Sequence, residues 1–266
     1  MLKTRILTAI ALLPLVLAAL FWLPHSGWVL FCALVCGLAA WEWSRLCALK
    51  GAATLLLPLL VVAAIVALAP GRIPVYDAPW WPLVLAGALF WLLVAPAWLR
   101  WRWPLAQTLA RGLPIGLLLL LAAGLALVAL RGAVGPLGVL AVFAIAWVAD
   151  TAAYFAGKAF GRHKLAPAIS PGKTWEGVAG AALGVSIYAL VLAHLAGRSW
   201  WAMLLAGWLL LAVSIIGDLI ESLFKRQAGL KDSSNLLPGH GGVLDRIDSL
   251  IALLPLALPV IYWLPH

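Results

Sequence analysis

Residues 200–249 read WWAMLLAGWLLLAVSIIGDLIESLFKRQAGLKDSSNLLPGHGGVLDRIDS. The first part of this stretch is an apolar run of membrane-spanning length, and it passes directly into a segment that is dense in charge. The segment 218–248 holds nine of the 27 charged residues of the chain and five of its nine carboxylates. An ionised side chain at the middle of a membrane helix costs about 2.5–3.5 kcal/mol. A chain that concentrates charge in one place is therefore expected to use it there.

The rest of the chain predicts an all-α, polytopic integral membrane protein. Of its 266 residues, 65% are hydrophobic and 10% are charged, and the mean hydropathy is +1.09. A soluble domain of this size needs far more polar surface to face water. A spanning helix needs about 20 apolar residues. The pattern therefore predicts about nine transmembrane helices, at 5–23, 27–47, 52–69, 80–99, 112–130, 136–157, 176–196, 200–221 and 248–264.

The Lys and Arg residues predict the orientation, because cytoplasmic loops of membrane proteins carry an excess of them. With a cytoplasmic N-terminus and a C-terminus outside, 15 of the 18 basic residues fall on the cytoplasmic side. Only Arg72, Arg131 and Arg198 fall outside. The formal net charge of +9 suits attraction to anionic lipid headgroups. No basic groove with exposed aromatic side chains is predicted, so nucleic acid is not an expected partner.

The distribution of acidic residues divides the chain near residue 135. Residues 1–135 are predicted to form N-terminal transmembrane scaffold helices. Residues 136–266 carry seven of the nine carboxylates and are predicted to form a C-terminal transmembrane catalytic region. Two of its cytoplasmic loops, 158–175 and 222–247, are long enough to hold a site, and both are predicted on the same side of the membrane.

Acidic residues flank the second of these loops. Asp218 lies near the inner end of the eighth predicted helix, with Glu221 and Ser222 three and four residues later on the same face. Asp245 and Asp248 are three residues apart and open the ninth helix. Helix capping alone would explain one Asp in a first turn, at about 0.3–1 kcal/mol. Two such residues, with a third across the loop, suggest a cation with oxygen ligands such as Mg²⁺.

Basic residues and a glycine-rich turn lie between these acids. The tendency of cytoplasmic loops to be basic would by itself place Lys225 and Arg226 here. They are followed, however, by Pro238-Gly-His240-Gly-Gly. A loop with three glycines lets backbone N–H groups approach an anion closely. The combination predicts a triphosphate cradle in which Lys and Arg neutralise charge.

The first loop contains a second candidate segment, Ser170-Pro-Gly-Lys173-Thr174-Trp-Glu176-Gly177. It is not a P-loop, because residue 167 is proline where that motif requires glycine. We expect Ser170 to cap the seventh helix, with Pro171 at its first position. Asp150 lies about two turns inside the membrane on the sixth helix, where an ionisable group is a site candidate by default.

These two segments resemble the signature of a known family, the phosphatidate cytidylyltransferases, also called CDP-diacylglycerol synthases. The C-terminal motif of that family is similar to the following order in this chain: Ser222, Lys225-Arg226, Lys231-Asp232, Pro238-Gly-His240-Gly-Gly and Asp245-Arg246-Ile-Asp248. The segment from Ser170 to Gly177 resembles the family's second block. The likeness is specific over about 150–250, whereas over residues 1–135 only the hydropathy and the number of helices match.

The resemblance implies transfer of the cytidylyl group of CTP to phosphatidate, which gives CDP-diacylglycerol and pyrophosphate. It implies Mg²⁺ on Asp218 and Asp245, with room for a second, monovalent ion. The implied catalytic residues are Asp218, Asp245, Lys225, Arg226 and Asp248. The implied substrate-binding residues are Lys173, Ser222, Lys231, Asp232, Asn235, His240, Arg246 and Asp150. It further implies contact with membrane lipid, a homodimer, and an inner-membrane location with the active site facing the cytoplasm.

Other functions fit part of this pattern. A CTP-dependent lipid-alcohol kinase of the polyprenol type needs the same cation and triphosphate groups, and differs in its products. A CDP-alcohol phosphotransferase is disfavoured, because the D-x2-D-G-x2-A-R pattern is missing from the sequence. A transporter usually has ionisable groups near the midplane, on broken helices of two related halves. Here the acids cluster at one end of one half, and no internal repeat is visible.

Overall fold

The computed structural model describes residues 2–69, 78–104 and 109–264. Its helices are, in chain order, α1 (Leu2–Trp22), α2 (His25–Leu46), α3 (Leu56–Leu68), α4 (Trp81–Leu89), α5 (Ala95–Trp101), α6 (Leu109–Phe160), α7 (Trp175–Ala196), α8 (Trp200–Gln227) and α9 (Leu244–Trp263). A 3₁₀ segment, Gly51–Leu55, leads into α3, and a π-helical turn, Phe90–Val94, joins α4 to α5. Arg72, which the orientation prediction places outside, is not among the described residues.

The all-α, polytopic membrane class is confirmed. In the described part of the chain, six helical stretches are long and apolar enough to cross a membrane: His25–Leu46, Gly51–Leu68, Trp81–Trp101, Gly112–Phe160, Trp175–Ala196 and Trp200–Gln227. Helix α6 contains two of the predicted spans, and its backbone leaves the helical region at Gly135, at φ 69° and ψ 177°. Glycine tolerates that conformation, and Pro136 then lacks the N–H that a continuous helix would use. The total of nine crossings and the sides of the two termini remain predictions.

Both predicted loops differ in detail from the structure. Helix α8 continues to Gln227, so the connection to α9 is 228–243 rather than 222–247. The connection from α6 to α7 contains an antiparallel hairpin of β1 (Lys164–Ala166) and β2 (Ser170–Thr174). The prediction that Ser170 caps α7 is therefore wrong. Pairing with β1 keeps the chain extended through Thr174, whose hydroxyl accepts from the Gly177 N–H at 3.1 Å and caps α7 four residues later.

Helix α9 lies at the centre of the helix bundle, against α8, α6 and α4. All nine residues from 251 to 259 are buried, as expected for a helix that is apolar on every face. Helix α8 approaches it closely at Gly217. A Cβ atom added there would lie 2.7 Å from the Ala252 Cβ and 2.8 Å from the Asp248 carbonyl oxygen. This contact brings Asp218 next to the first turn of α9.

Replacing Gly217 with alanine tests whether this close approach supports the fold. We expect Gly217→Ala to lower the free energy of unfolding by about 1–3 kcal/mol, because the added methyl group must push α9 away from α8. Thermal unfolding of the protein in detergent measures the change. Gly132→Ala is the matched control, since Gly132 also lies in a helix and a Cβ there meets nothing within 4 Å. An unchanged melting temperature for Gly217→Ala would contradict the expectation.

Candidate active site

Acidic side chains from four parts of the chain line one cavity of about 320 Å³, which we call the acidic cavity. Asp150 comes from α6 and Asp218 from α8, while Asp245 and Asp248 come from the first turns of α9. Asp232 reaches it from the 228–243 loop. The cavity also receives Lys225 and Arg246. The structure thus brings together the two carboxylates that were predicted to hold a metal ion.

Asp245 is the most firmly held of these carboxylates. Its Oδ1 accepts from the Lys225 Nζ at 2.7 Å, and its Oδ2 accepts from the Gly242 N–H at 2.7 Å. The Ser233 backbone N–H donates to Oδ2 at 3.0 Å, and the Ser233 hydroxyl lies 3.0 Å from Oδ2 and 3.0 Å from the Glu42 Oε2, so its one proton is shared between the two acids. Lys225 also pairs with the Glu221 Oε2 at 2.5 Å. A single ammonium group therefore lies between two buried carboxylates at the junction of α8 and α9.

Asp218 is more accessible and has a different partner. Its Oδ2 lies 2.6 Å from the Lys173 Nζ, with both side chains 28% exposed. The Ser222 hydroxyl donates to its Oδ1 at 3.3 Å. Because Lys173 belongs to β2, this ion pair ties the hairpin to α8. The predicted site residues of both loops thus meet at one carboxylate.

The donors of the acidic cavity fit a hard divalent cation. In the described part of the chain, no three His, Cys, Asp or Glu side chains form a complete metal site by themselves. Mg²⁺ usually takes one or two carboxylates and completes its shell with water and substrate phosphates. Asp218 and Asp245 line the same cavity, and the excess of carboxylates over cationic groups there favours a bound cation. Asp218 is partly exposed and can offer an oxygen to such an ion. Both Asp245 oxygens already accept hydrogen bonds, so an ion there would take the place of Lys225.

A second cavity, of about 590 Å³, lies beneath the glycine-rich turn, and we call it the loop cavity. Among the residues that line it are five that were predicted to bind substrate: Lys231, Asp232, Asn235, His240 and Arg246. The turn is closed by a hydrogen bond from the Leu237 N–H to the Gly241 carbonyl at 2.8 Å. Asp232 and Arg246 line both this cavity and the acidic cavity, so the two are neighbours.

A third cavity, of about 350 Å³, lies between α6, α7, α8 and the hairpin, and we call it the apolar cavity. Small side chains such as Ala149, Ala153 and Ala181 form much of its wall. Its polar groups include Lys173 and Lys158. Asp150, Asp218 and Ser249 line both this cavity and the acidic cavity. The acidic cavity therefore separates a polar space from a largely apolar one.

One predicted catalytic residue lies away from these spaces. Arg226 lines none of the three cavities, and its guanidinium donates to the carbonyl oxygens of Ile169 and Leu230, each at 3.4 Å. It connects the hairpin loop to the start of the 228–243 loop. Ser222 likewise reaches the site only through its bond to Asp218.

Two acidic residues that the structure connects to the site had no role in the prediction. Glu221 pairs with Lys225, and its spacing from Asp218 and Lys225 on α8 was the available signal. Glu42 of α2 is fully buried and accepts hydrogen bonds from the 228–243 loop and the start of α9. An ionisable residue within an apolar helix is a site candidate by default, and that rule would have identified Glu42.

Comparison with known proteins gives a consistent result. The model of the cytidylyltransferase family matches residues 3–264. The chain is 43% identical over 268 residues to the phosphatidate cytidylyltransferase of Pseudomonas aeruginosa, with 96% of this chain and 95% of that protein covered. It is 36% identical to the Haemophilus influenzae protein of the same name, with 96% of each chain covered. Against the Brucella suis protein of that name the identity is 40%, with 94% and 90% covered.

Removing the cation at the α8–α9 junction tests the geometry of the site. The side chains of Lys225, Glu221 and Asp245 are 12%, 5% and 4% exposed. We expect Lys225→Met to lower the free energy of unfolding by about 3–5 kcal/mol, because it leaves the buried carboxyl groups of Glu221 and Asp245 without their cationic partner. Thermal unfolding in detergent measures the change, with Lys50→Met at an exposed position as the control.

A double variant separates lost charge compensation from lost packing. Adding Glu221→Leu to Lys225→Met replaces one of the two carboxyl groups that lost their partner with an apolar side chain, so part of the stability should return. If the double variant is less stable than Lys225→Met by the full cost of a second buried deletion, the ion-pair explanation is wrong.

Proposed function

The chain belongs to the cytidylyltransferase family, and we propose that it transfers the cytidylyl group of CTP to phosphatidate, producing CDP-diacylglycerol and pyrophosphate. The observation that carries the proposal is the arrangement of the three cavities. The acidic cavity adjoins an exposed polar space on one side and a largely apolar space on the other. The reaction joins one water-soluble polyanion to one lipid phosphate, so it needs a site that both a polar and an apolar cavity adjoin.

CTP is assigned to the loop cavity. Lys231, Asn235 and Arg246 are exposed there, so the nucleotide can enter from water. Lys231 and Arg246 supply positive charge for the triphosphate, and charge-assisted hydrogen bonds to phosphate are among the strongest in proteins. Asn235 and His240 supply hydrogen-bonding groups for the ribose and the base. Arg246 also lines the acidic cavity, and so it lies near the phosphates that react.

Phosphatidate is assigned to the apolar cavity. The alanine and glycine residues of this cavity leave room for an acyl chain. Lys173 lies where this cavity meets the acidic cavity. In the structure Lys173 is paired with Asp218. A lipid phosphate carries more charge than one carboxylate and would draw the ammonium group away from Asp218. Binding of the lipid would then leave Asp218 free to accept a cation.

The chemistry requires little proton transfer from the protein. A phosphomonoester has a second pKa of about 6, so the lipid phosphate is already a dianionic nucleophile at neutral pH. One of its oxygens forms a bond to the α-phosphorus of CTP, and the bond from that phosphorus to the bridging oxygen breaks. The electron pair leaves with pyrophosphate.

The residues of the acidic cavity hold the reacting groups and offset their charge. Lys225, which Glu221 and Asp245 hold in place, presents a fixed positive charge to the reacting phosphates. A Mg²⁺ ion held by Asp218 and Asp245 would neutralise charge on both substrates and align them. The remaining carboxylates on the helices, Asp150 and Asp248, would hold a second, monovalent ion.

We further propose that the site faces the cytoplasm from the inner membrane, with the N-terminus inside and the C-terminus outside. The excess of Lys and Arg on the side of the two loops supports this orientation. CTP is made in the cytosol, so a site on that side has direct access to it. A homodimer remains a prediction, which the mass of the purified protein in detergent tests.

The two rival functions are disfavoured by different observations. A lipid-alcohol kinase would transfer the γ-phosphate, but the relatives that span the chain share the name phosphatidate cytidylyltransferase. A transporter would have its charged groups inside broken helices near the midplane. In this chain the charged cavity lies where α8 and α9 meet the connecting loops.

Product analysis with purified protein tests the activity. We expect CTP and phosphatidate to give CDP-diacylglycerol and pyrophosphate only when a divalent cation is present. Asp245→Asn should lower kcat by about a hundredfold or more, because it removes a charged ligand from the site. Its elution profile in detergent should match that of the unmodified protein. Full activity in excess chelator would contradict the metal mechanism, and phosphorylated lipid with CDP as products would indicate the kinase instead.

Lys173→Gln tests the assignment of the lipid phosphate. We expect the KM for phosphatidate to rise about tenfold while the KM for CTP changes little, since a charge-assisted hydrogen bond to one substrate is lost. Kinetics in mixed micelles, with each substrate varied in turn, measure the two constants. Lys164→Gln is the matched control, because Lys164 lies on the same hairpin and lines none of the three cavities. A rise in the KM for CTP alone would indicate that Lys173 binds the nucleotide and not the lipid.

A further inference from the structure

A buried carboxylate in the N-terminal half of the chain holds the loop that forms the proposed nucleotide site. Glu42 of α2 is 0% exposed. Its Oε1 accepts from the Ser234 hydroxyl at 2.6 Å and from the Val243 N–H at 2.9 Å. Its Oε2 accepts from the Ser233 hydroxyl at 3.0 Å and from the Leu244 N–H at 2.6 Å. Two of these donors lie early in the 228–243 loop, and the other two lie at its end and at the start of α9.

Both carboxyl oxygens of Glu42 are needed as acceptors. Oε1 accepts the Val243 N–H and the Ser234 hydroxyl, and Oε2 accepts the Leu244 N–H. The Ser233 hydroxyl has one proton and lies between Glu42 and Asp245, so it links the two groups. A glutamine would keep one carbonyl oxygen and would point an NH₂ group at a backbone N–H. The site therefore selects for two acceptor oxygens.

The same group is connected to Asp245 through Ser233. The Ser233 hydroxyl lies 3.0 Å from the Glu42 Oε2 and 3.0 Å from the Asp245 Oδ2. Gly242 fits between the two acids, and a Cβ atom there would collide with the Ser233 hydroxyl and with both Glu42 oxygens. A Cβ at Gly241, where φ is +84°, would lie 2.5 Å from the Asp245 Oδ2. The glycines thus let the backbone approach two protein carboxylates.

We propose that Glu42 is a positioning residue for the transferase site. It fixes the second half of the 228–243 loop and the start of α9, so that Asp245 and the lining of the loop cavity keep the arrangement that CTP requires. Glu42 itself lines none of the three cavities, so it acts through Ser233, Ser234 and the start of α9. Helix α1 adds a second anchor, because the Thr8 hydroxyl donates to the Pro238 carbonyl at 2.9 Å. The inference rests on the proposed function, since it assigns the loop cavity to CTP.

A general effect on folding would make a different prediction. If Glu42 only capped α9, its loss would weaken the helix bundle and alter the kinetics of both substrates alike. A positioning role instead lowers kcat through Asp245 and, of the two KM values, changes that for CTP, because the loop lines the CTP side while Lys173 and α6 line the lipid side. The comparison of the two KM values therefore separates the two explanations.

The central experiment is the near-isosteric variant Glu42→Gln in the full-length protein. We expect kcat/KM for CTP to fall roughly ten- to hundredfold, because buried donors lose their acceptor. The KM for phosphatidate should stay within about twofold, since no lipid contact changes. Glu42→Asp keeps the charge and should recover part of the loss. Ser44→Ala, on the same helix, removes a buried hydroxyl that bonds only to its own helix at Ala40, and should leave both constants unchanged.

Two further measurements keep the test decisive if Glu42→Gln is poorly folded. Ser234→Ala removes one donor to Glu42 at 2.6 Å and leaves the carboxylate in place. It should reduce kcat/KM for CTP as well, and its effect in the double variant with Glu42→Gln should be less than additive. Hydrogen exchange followed by mass spectrometry should show faster exchange of the Val243 and Leu244 amides in Glu42→Gln and unchanged exchange in α7.

Each outcome decides the proposal. Equal rises in both KM values, additive effects of Glu42→Gln and Ser234→Ala, or unchanged exchange at 243–244 would overturn the positioning role. Faster exchange with unaltered CTP kinetics would also overturn it, because the anchor would then be irrelevant to the site. If the unmodified protein makes no CDP-diacylglycerol, the proposed function fails, and the exchange data still report whether Glu42 holds the loop.

Discussion

The structure depends on how charge is accommodated where the helices meet the loops. Lys225 lies between Glu221 and Asp245, and none of the three side chains has enough contact with water to be stable alone. In a medium of low dielectric constant, an unpaired charge costs far more than a paired one. The ion pairs of Lys225 therefore determine both how α8 packs against α9 and how the charges of the site are compensated. The same ion pairs that stabilise the bundle hold Asp245 at the edge of the acidic cavity.

Gly217 connects the packing of two helices with the position of a carboxylate at the site. The absence of a side chain there lets α8 touch α9, and the next residue is Asp218. A wider separation of the two helices would move this carboxylate away from Asp245. The central position of α9, buried along most of its length, keeps the first turn of the helix from shifting. Rigid helices thus carry the carboxylates, while the more exposed loops carry most of the groups assigned to the nucleotide.

The order of the three cavities explains how one site serves two unlike substrates. The loop cavity is open to water and basic, and the apolar cavity is lined by small side chains and bordered by Lys173. Between these two cavities, the carboxylates of the acidic cavity need positive charge, either from ammonium groups or from a metal cation. In the structure, the ion pair of Lys173 with Asp218 supplies positive charge to one of these carboxylates. A lipid phosphate that takes Lys173 would shift the balance toward the cation, so the binding of lipid and of metal would favour each other.

Much of this protein could be predicted from its sequence because the signals are local. Apolar runs of membrane length predicted the helices, and the spacing of Asp245 and Asp248 placed both in the first turns of α9. The family resemblance is confirmed by the comparisons. Local patterns were also ambiguous: Ser170-Pro171 suits a helix start, but pairing between β1 and β2 keeps it extended. Arg226 follows the expected motif, yet its partners are backbone carbonyls of two loops.

The sequence by itself determined the all-α membrane class, the family and the concentration of charge between α8 and α9, because each follows from composition or from neighbours a few residues apart. Only the tertiary structure decided how those charges are paired and that Glu42 binds the segments on both sides of the glycine-rich turn. Glu42 and Ser233 are separated by 191 positions, and no periodicity relates them. Their contact exists because α2 packs against the buried part of the 228–243 loop, whose N–H and O–H donors need acceptors away from water.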